Sequence, residues 1–211
     1  MQEDLKIKSL IEEYYTRNKL VGFVDEVGRG ANAGPLYTSC VVLDNSKFNC
    51  SEIDDSKKLS KKKIRSLSEL IRNSVKCWSV GAVNVDEINQ IANMQQVDLL
   101  AMKRAVEVLV YRPDVLFIDG PWRINIDIEQ HSIVKGDSKV FGIACASIIA
   151  KQMRDDYMID LHKEFPNYHW DQNVGYHTKV HIEAIKKYGI TPHHRIHYKD
   201  VKGALDEYQN K

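Results

Sequence analysis

The sequence predicts an α/β protein in which a mixed five-stranded sheet is covered by helices. Short apolar segments alternate along the chain with longer segments of helical periodicity, three of the strands coming early and two later. Strands and helices that interleave in this way form a sheet flanked by helices. With 211 residues, the chain is also long enough to bury a core of its own.

The chain begins with a predicted amphipathic helix over residues 3–18. Leu5, Leu10, Ile11 and Tyr14 recur among charged residues at roughly helical spacing. Such a helix buries one face against another element.

Two strands are predicted next, at 20–24 and 36–43. Both segments are apolar, and the second is rich in β-branched residues. Gly28, Gly30 and Gly34 keep the connection between them out of regular structure. We therefore expect a loop that begins directly after the first strand.

Helical periodicity returns over 60–76, where Ile64, Leu67 and Ile71 supply the apolar face. The following segment, 77–85, is apolar and β-branched and is predicted to be the third strand.

A single long helix is predicted over 86–112. Asp86 is a suitable N-cap, and Pro113 marks the end of the helix. The all-apolar segment 115–118 then has the character of a buried fourth strand.

The last predicted strand lies around 132–134, and two helices follow it at 141–165 and 178–188. Small residues in the first of these helices allow it to lie close to the sheet, and Gly189 and Pro192 close the second.

Composition excludes several classes of protein. The balance of 30 Lys and Arg against 29 Asp and Glu gives a formal charge of +1, which favours neither nucleic acid nor membrane as a partner. The four cysteines form no Cys-x-x-Cys pair, and no apolar run approaches the roughly 20 residues of a membrane span. We expect free thiols and a cytoplasmic location.

Carboxylates follow three of the apolar strands. Asp25 and Glu26 come after the first strand, Asp119 after the fourth and Asp137 shortly after the fifth. Any one of these positions alone is more typical of a solvated turn. If the strands are neighbours, however, four carboxylates meet at one sheet edge and need cations to offset their repulsion. Oxygen ligands without Cys or His favour Mg²⁺ or Mn²⁺ over zinc.

Eight short motifs, spread over residues 25–195, connect these acids to a known family. They are Asp-Glu-Val-Gly-Arg-Gly at 25–30, Asp-Ser-Lys-Lys-Leu-Ser at 55–60, Leu-Leu-Ala-Met-Lys-Arg-Ala-Val at 99–106, Phe-Ile-Asp-Gly at 117–120, Lys-Gly-Asp-Ser-Lys at 135–139, Ala-Cys-Ala-Ser-Ile-Ile-Ala-Lys at 144–151 with Arg154-Asp155, Gly-Tyr-His-Thr-Lys at 175–179 and Thr-Pro-His-His-Arg at 191–195. In this order they resemble the type 2 ribonucleases H, the ribonuclease HII family.

The resemblance implies a ribonuclease H-like mixed sheet flanked by helices, with a catalytic domain over 1–165 and a C-terminal helical extension over 166–211 packed on it. It implies that Asp25, Glu26, Asp119 and Asp137 are the catalytic, metal-binding quartet. It also implies two-metal hydrolysis, with ions about 4 Å apart, of the phosphodiester 5′ of a ribonucleotide in duplex DNA or an RNA·DNA hybrid. The products are a 3′-hydroxyl and a 5′-phosphate.

Substrate contacts are implied by the same resemblance for Gly28, Arg29, Gly30 and Tyr176. The glycine motif approaches the ribose hydroxyl and its phosphate with main-chain groups, and the tyrosine packs on the following sugar. Without any substrate, the glycines are explained by a tight turn, and Tyr176 is explained as a half-buried tyrosine beside the last helix.

Lys57 and Lys58 belong to the one dense basic stretch, and the resemblance makes them candidates for phosphate contacts. A solvated helix face is the alternative.

Six of the eight histidines lie between His169 and His197 without the spacing of a metal site, so surface or capping roles are expected.

Some residues depart from the family pattern: Val27, Ala31, Asn32 and Val174. Arg29 and the short segment before the first strand favour ribonuclease HII over ribonuclease HIII. The tail after residue 199 lacks the Gln-x-x-Leu-x-x-Phe-Phe clamp-binding pattern, and the resemblance implies a monomer. A related nuclease such as a junction resolvase, and a non-catalytic nucleic-acid-binding module, stay open as alternatives.

Overall fold

The computed structural model describes residues 2–44, 48–53, 56 and 59–210. The helices are α1 (Gln2–Thr16), α2 (Lys61–Ser74), α3 (Val85–Ile91), α4 (Met94–Glu107), α5 (Phe141–Glu164), α6 (Trp170–Asn173), α7 (Lys179–Tyr188) and α8 (Lys199–Gln209). The strands are β1 (Val21–Val27), β2 (Leu36–Leu43), β3 (Cys77–Val83), β4 (Val115–Asp119) and β5 (Glu129–Ile133). None of the helices in these ranges has the length and apolar character needed to cross a membrane.

The five strands form one mixed sheet in the order β3-β2-β1-β4-β5. β1 runs antiparallel to β2, whereas β4 runs parallel to both β1 and β5. The predicted sheet of five strands flanked by helices is therefore confirmed, and α6, α7 and α8 supply the predicted C-terminal helices.

Two compact units interleave along the chain. The first, the sheet unit, consists of Met1–Val27, Tyr37–Ala82 and Leu99–Gln152. The second, the helical unit, consists of Gly28–Leu36, Val83–Asp98 and Met153–Lys211. The domain boundary after residue 165 stays a prediction.

Each unit has its own apolar core, as expected for elements that bury one face. In the sheet unit, Val24 of β1 and Ile118 of β4 pack with residues of β2 and α4. In the helical unit, Trp170 is fully buried among residues of the second half of α5, α7 and α8. All four cysteines are free thiols, in agreement with the sequence analysis.

The predicted helix over 86–112 is wrong, because the structure divides this segment into α3 and α4. Asn84, rather than Asp86, caps α3 in a reciprocal capping box with Glu87. Ala92 then takes a left-handed conformation with φ of 52°, and the Asn93 side chain accepts hydrogen bonds from the first amides of α4. One continuous apolar stripe is therefore divided between two helices, because α3 ends at Ala92 and a new cap at Asn93 starts α4.

The strand boundaries also differ from those predicted. β1 continues through Val27 because its pairing with β2 extends to Val27 and Tyr37. Asp25 and Glu26 are therefore part of the strand, not of the loop after it. β5 lies at Glu129–Ile133, earlier than predicted, and Val134 is exposed beyond its end.

Candidate active site

The pairing of β1 with β4 brings two predicted site residues together. Val24 pairs with Ile118 in parallel register, so Asp25 and Asp119 stand at the same level at the carboxyl ends of neighbouring strands. Parallel strands end at the same edge of a sheet, and loops after those ends form most ligand sites in such folds. Backbone register, rather than a special side-chain contact, therefore sets their spacing.

Three carboxylates form a close cluster at this edge. Asp25, Glu26 and Asp119 each offer one oxygen atom, and these oxygens lie within 4.8 Å of one another. Asp25 is only 3% exposed, whereas Glu26 and Asp119 are half-buried. We name these three residues the carboxylate cluster.

The carboxylate cluster concentrates negative charge in a poorly hydrated place. Burial raises the pKa of the Asp25 carboxyl well above its usual value, and the charges of Glu26 and Asp119 raise it further. A hydrogen bond with Ser147 acts in the opposite direction. A hard divalent cation relieves this repulsion, and an all-oxygen donor set is what Mg²⁺ and Mn²⁺ prefer. The residues present therefore fit such an ion.

Backbone amides hold two of these carboxylates in place. The Gly136 N–H donates to Asp119 Oδ1 over 2.5 Å, and the Glu26 N–H donates to Asp25 Oδ1 over 2.8 Å. A Cβ at Gly136 would lie 2.5 Å from Ile143 Cδ1 and 3.2 Å from Asp119 Oδ1. Glycine therefore allows this close approach without a shift of the Ile143 side chain.

Asp137 lies outside the carboxylate cluster but near it. It is buried in the 3₁₀ turn Gly136–Ser138, and its negative charge raises the pKa of Asp25. The structure thus brings three of the four predicted acids into ligand distance of one another. The role of Asp137 as a metal ligand stays a prediction.

Ser147 supports the carboxylate cluster and was not identified from the sequence. It lies on α5, interacts with Asp25 by a hydrogen bond, and its hydroxyl is 2.9 Å from that of Ser56. Both serines are buried, so they meet each other's hydrogen-bonding needs. The small residues of 144–150 indicated close packing but not this contact.

The Gly28-Arg29-Gly30 segment lies in the helical unit and contains one position that only glycine fills easily. Gly28 has φ of 92°, and a Cβ there would lie 2.2 Å from Arg154 Nε. Gly30 differs, because a Cβ there meets nothing within 4 Å. The tight-turn explanation therefore holds for Gly28, and it does not exclude a substrate contact.

Tyr176 pairs directly with the loop that follows the glycine motif. Ala31 and Tyr176 form an antiparallel β-bridge, and the Gly175 carbonyl accepts from the amides of Asn32 and Ala33 over 2.8 and 3.1 Å. The structure thus brings the two predicted sugar-contacting segments together within one unit.

Arg154 connects the loop after the glycine motif to the segment that contains Tyr176. Its side chain is fully buried and donates to the carbonyls of Pro35, Val174 and Ala33 over 2.9–3.0 Å. Its guanidinium carbon lies 5.2 Å from the centre of the Tyr176 ring, within the range of a cation–π contact. The motif at 144–155 contained this residue, but only the structure shows its partners.

Arg195 fixes the backbone of the same loop. It is fully buried, donates twice to the Gly34 carbonyl over 2.8 and 3.0 Å, and donates once to the Arg29 carbonyl over 3.0 Å. The Tyr198 hydroxyl donates to the same Arg29 carbonyl. The Arg29 side chain, in turn, forms an ion pair with Asp98.

Two of the histidines are buried, which corrects the expectation of surface or capping roles. His181 Nε2 lies 3.2 Å from His194 Nε2 and accepts from Trp170 Nε1 over 3.1 Å. The Thr191 amide donates to His194 Nδ1 over 2.9 Å, so His194 has its proton on Nε2 and donates it to His181. His181 Nδ1 then donates to the Tyr176 carbonyl over 3.0 Å. Burial lowers the pKa of both rings, that of His194 to about 3.

The basic pair Lys57 and Lys58 lies outside the described residues, so its predicted phosphate contact stays a prediction. The adjacent prediction of a helix over 60–76 is confirmed by α2, whose N-cap is Ser60.

Solved structures with the same fold belong to ribonucleases H. The ribonuclease H2 of Pyrococcus horikoshii superimposes with a TM-score of 0.78 at 21% identity, covering 91% of this chain and 100% of that chain. The Bst ribonuclease HIII in complex with Mn²⁺ gives 0.71 at 19% identity, over 92% and 71% of the two chains. The ribonuclease HII of Archaeoglobus fulgidus, solved in complex with PCNA, gives 0.72 at 22% identity, over 85% and 95%. At these identities the likeness concerns the fold.

The carboxylate cluster at the sheet edge, together with the family of the curated relatives that are similar in sequence, defines the protein as a metal-dependent endoribonuclease. The family model for ribonuclease HII matches residues 22–201. Ribonuclease HII of Parabacteroides distasonis is 45% identical over 183 residues, which are 86% of this chain and 91% of that protein. Ribonuclease HII of Lactobacillus delbrueckii is 43% identical over 190 residues, 90% and 73% of the two proteins. The chain therefore belongs to the ribonuclease HII family.

Proposed function

We propose that the protein hydrolyses the phosphodiester on the 5′ side of ribonucleotides embedded in duplex DNA and in RNA·DNA hybrids, leaving a 3′-hydroxyl and a 5′-phosphate. The observation that supports this most directly is the carboxylate cluster, in a chain of the ribonuclease HII family. Hydrolysis of a phosphodiester needs an activated water and stabilisation of the leaving oxygen, and clustered carboxylates provide both functions by holding cations.

Asp25, Glu26, Asp119 and Asp137 are the proposed ligands of two Mg²⁺ or Mn²⁺ ions. When bound, such ions supply Lewis acidity and lower the pKa of water for in-line attack. The protein's own part is to keep its carboxylates ionised and oriented. The Ser147 hydrogen bond favours the charged form of Asp25, and the Gly136 amide fixes one oxygen of Asp119. No side chain has to act as a nucleophile.

Discrimination of RNA from DNA needs a contact to the 2′-hydroxyl. We assign this contact to the main chain of Gly28, Arg29 and Gly30, with Tyr176 packing on the next sugar. The β-bridge between Ala31 and Tyr176 supports this assignment, because it fixes the spacing of the two segments. The Arg154 contacts described above make the same arrangement rigid.

Lys57 and Lys58 are proposed to contact backbone phosphates without recognising sequence. For partners we propose the nucleic-acid duplex alone, acted on by a monomer. The ribonuclease HII of Archaeoglobus fulgidus was solved in complex with PCNA, and residues 199–211 of this sequence do not contain the Gln-x-x-Leu-x-x-Phe-Phe pattern. The cytoplasmic location stays a prediction from the sequence.

Three labelled substrates test the proposal. They are a DNA duplex with one ribonucleotide, the same duplex without it, and a branched DNA, each incubated with Mg²⁺ or Mn²⁺. We expect cleavage of the first substrate only. Equal cleavage of the all-DNA duplex contradicts the ribonucleotide specificity, and cleavage restricted to the branched DNA indicates a junction resolvase.

A further inference from the structure

A buried aspartate lies against the arginine of the glycine motif. Asp98, near the start of α4, has a side chain only 5% exposed, whereas the Arg29 side chain is 50% exposed. Asp98 Oδ2 lies 3.1 Å from Arg29 Nε, the inner nitrogen of the guanidinium group. The pair therefore joins a buried, fixed carboxylate to a half-exposed cation.

The surroundings of the Asp98 carboxylate are unfavourable for a charged group. Its Oδ1 is buried and has no hydrogen-bond partner, and burial raises the pKa of the carboxyl to about 6. The charged groups that face it are Arg29 and the buried Arg195, and both act to keep it ionised. A buried carboxylate with an unsatisfied oxygen is costly, which is typical of a residue kept for function.

The contact leaves the outer end of Arg29 available. Within the described part of the chain, no hydrogen bond joins Nη1 or Nη2 of Arg29 to another group. These two nitrogens hold four N–H groups in a planar fork that fits the oxygens of a phosphate. The Arg29 carbonyl is meanwhile held by Arg195 and Tyr198, so the backbone at this position is fixed as well.

We propose that Asp98 is a positioning residue for Arg29, holding the guanidinium group at Nε so that its two outer nitrogens bind a phosphate oxygen of the nucleic-acid substrate. This inference rests on the proposed function. A free arginine side chain loses much rotamer entropy on binding, and a preformed ion pair removes part of that cost before the substrate arrives. The negative charge of Asp98 is already offset by Arg195, so it repels the phosphate little.

The test is a double-mutant cycle between Asp98→Asn and Arg29→Ala. Binding to the duplex with one ribonucleotide is measured by fluorescence anisotropy without divalent metal, and kcat and KM are measured separately with Mg²⁺. We expect Asp98→Asn to raise Kd and KM about fivefold with kcat within about twofold, and to have no further effect in the Arg29→Ala background. Asp98→Glu, which keeps the charge, is expected to restore part of the affinity.

The control is Asp86→Asn, which removes the same charge from an exposed position on α3 and is expected to leave Kd unchanged. An unchanged or lower Kd for Asp98→Asn overturns the inference. So does an equal loss of affinity with and without Arg29, which shows a merely structural effect. If the wild-type protein does not cleave the ribonucleotide duplex, the proposed function fails. If the wild type cleaves it but Asp98→Asn does not change Kd, only the inference about Asp98 fails.

Discussion

Asp25 and Asp119 lie side by side at the ends of two parallel strands because Val24 of β1 pairs with Ile118 of β4. This register brings acids 94 positions apart in the sequence to one edge of the sheet. We propose that these carboxylates hold divalent cations that support the hydrolysis of RNA within duplexes.

Replacing Asp119 by Asn removes one charge from the carboxylate cluster while keeping the shape of the side chain. We expect kcat to fall by at least about 100-fold, because cation binding and orientation both depend on this carboxylate. Duplex binding is expected to persist, so gel-shift and cleavage assays are run in parallel. Asp114→Asn is the matched control, since Asp114 forms an exposed ion pair with Lys19. A variant that retains its cleavage rate contradicts the assignment.

Divalent cations are expected to stabilise the folded protein, because they relieve the repulsion around Asp25. With Mg²⁺ or Mn²⁺ at tenfold its Kd, linkage predicts a gain of about 1.4 kcal/mol and a rise in Tm of roughly 3–6 °C. Asp25→Asn is expected to raise Tm without metal and to reduce the metal-induced shift. Differential scanning calorimetry in EDTA and in metal measures both. A shift of equal size in the variant shows that the ion binds elsewhere.

Gly28→Ala is expected to destabilise the protein by about 2 kcal/mol or more. The residue has φ of 92°, and the added Cβ would lie 2.2 Å from Arg154 Nε. Gly30→Ala is the control, because a Cβ there meets nothing within 4 Å. Denaturant unfolding measures both free energies, and equal values for the two variants contradict the strain at Gly28.

The buried His181–His194 pair predicts acid sensitivity. The folded-state pKa of His194 is about 3, below the ordinary value of 6.5, so the fold favours the neutral ring. This contribution is complete above pH 6.5 and is lost as pH falls toward 3, which amounts to about 2 kcal/mol between pH 6.5 and 4.5. His194→Asn is expected to flatten this part of the stability curve, whereas His197→Asn, at an exposed position, leaves it unchanged. Parallel curves for wild type and His194→Asn show that the pair is not the cause.

Much of the fold could be predicted from the sequence because apolar periodicity is local information. The bounds of β2 were predicted without error, and the acids after apolar strands pointed to the sheet edge. The division between α3 and α4 could not be predicted in this way, since the apolar stripe runs through both. The left-handed Ala92 ends α3, and the Asn93 side chain caps the start of α4.

The site was only partly predictable for a similar reason. Acids and glycines have recognisable motifs, but buried polar residues that support them depend on tertiary contacts. Ser147, Arg154 and Asp98 are such residues, and each became apparent only through its partner in space. Ser147 and Arg154 lie within the motif at 144–155, but that motif does not show which groups they contact.

The position of the cut in a duplex with one ribonucleotide shows whether the protein acts as a ribonuclease HII at the proposed bond. The substrate is labelled separately at each end, incubated with Mg²⁺, and its products are compared with size markers that bear defined termini. We expect one cut on the 5′ side of the ribonucleotide, with a 3′-hydroxyl and a 5′-phosphate, and a rate at least about 100-fold lower with Asp119→Asn. A cut on the 3′ side of the ribonucleotide, or cleavage by Asp119→Asn at the wild-type rate, would contradict the proposed function.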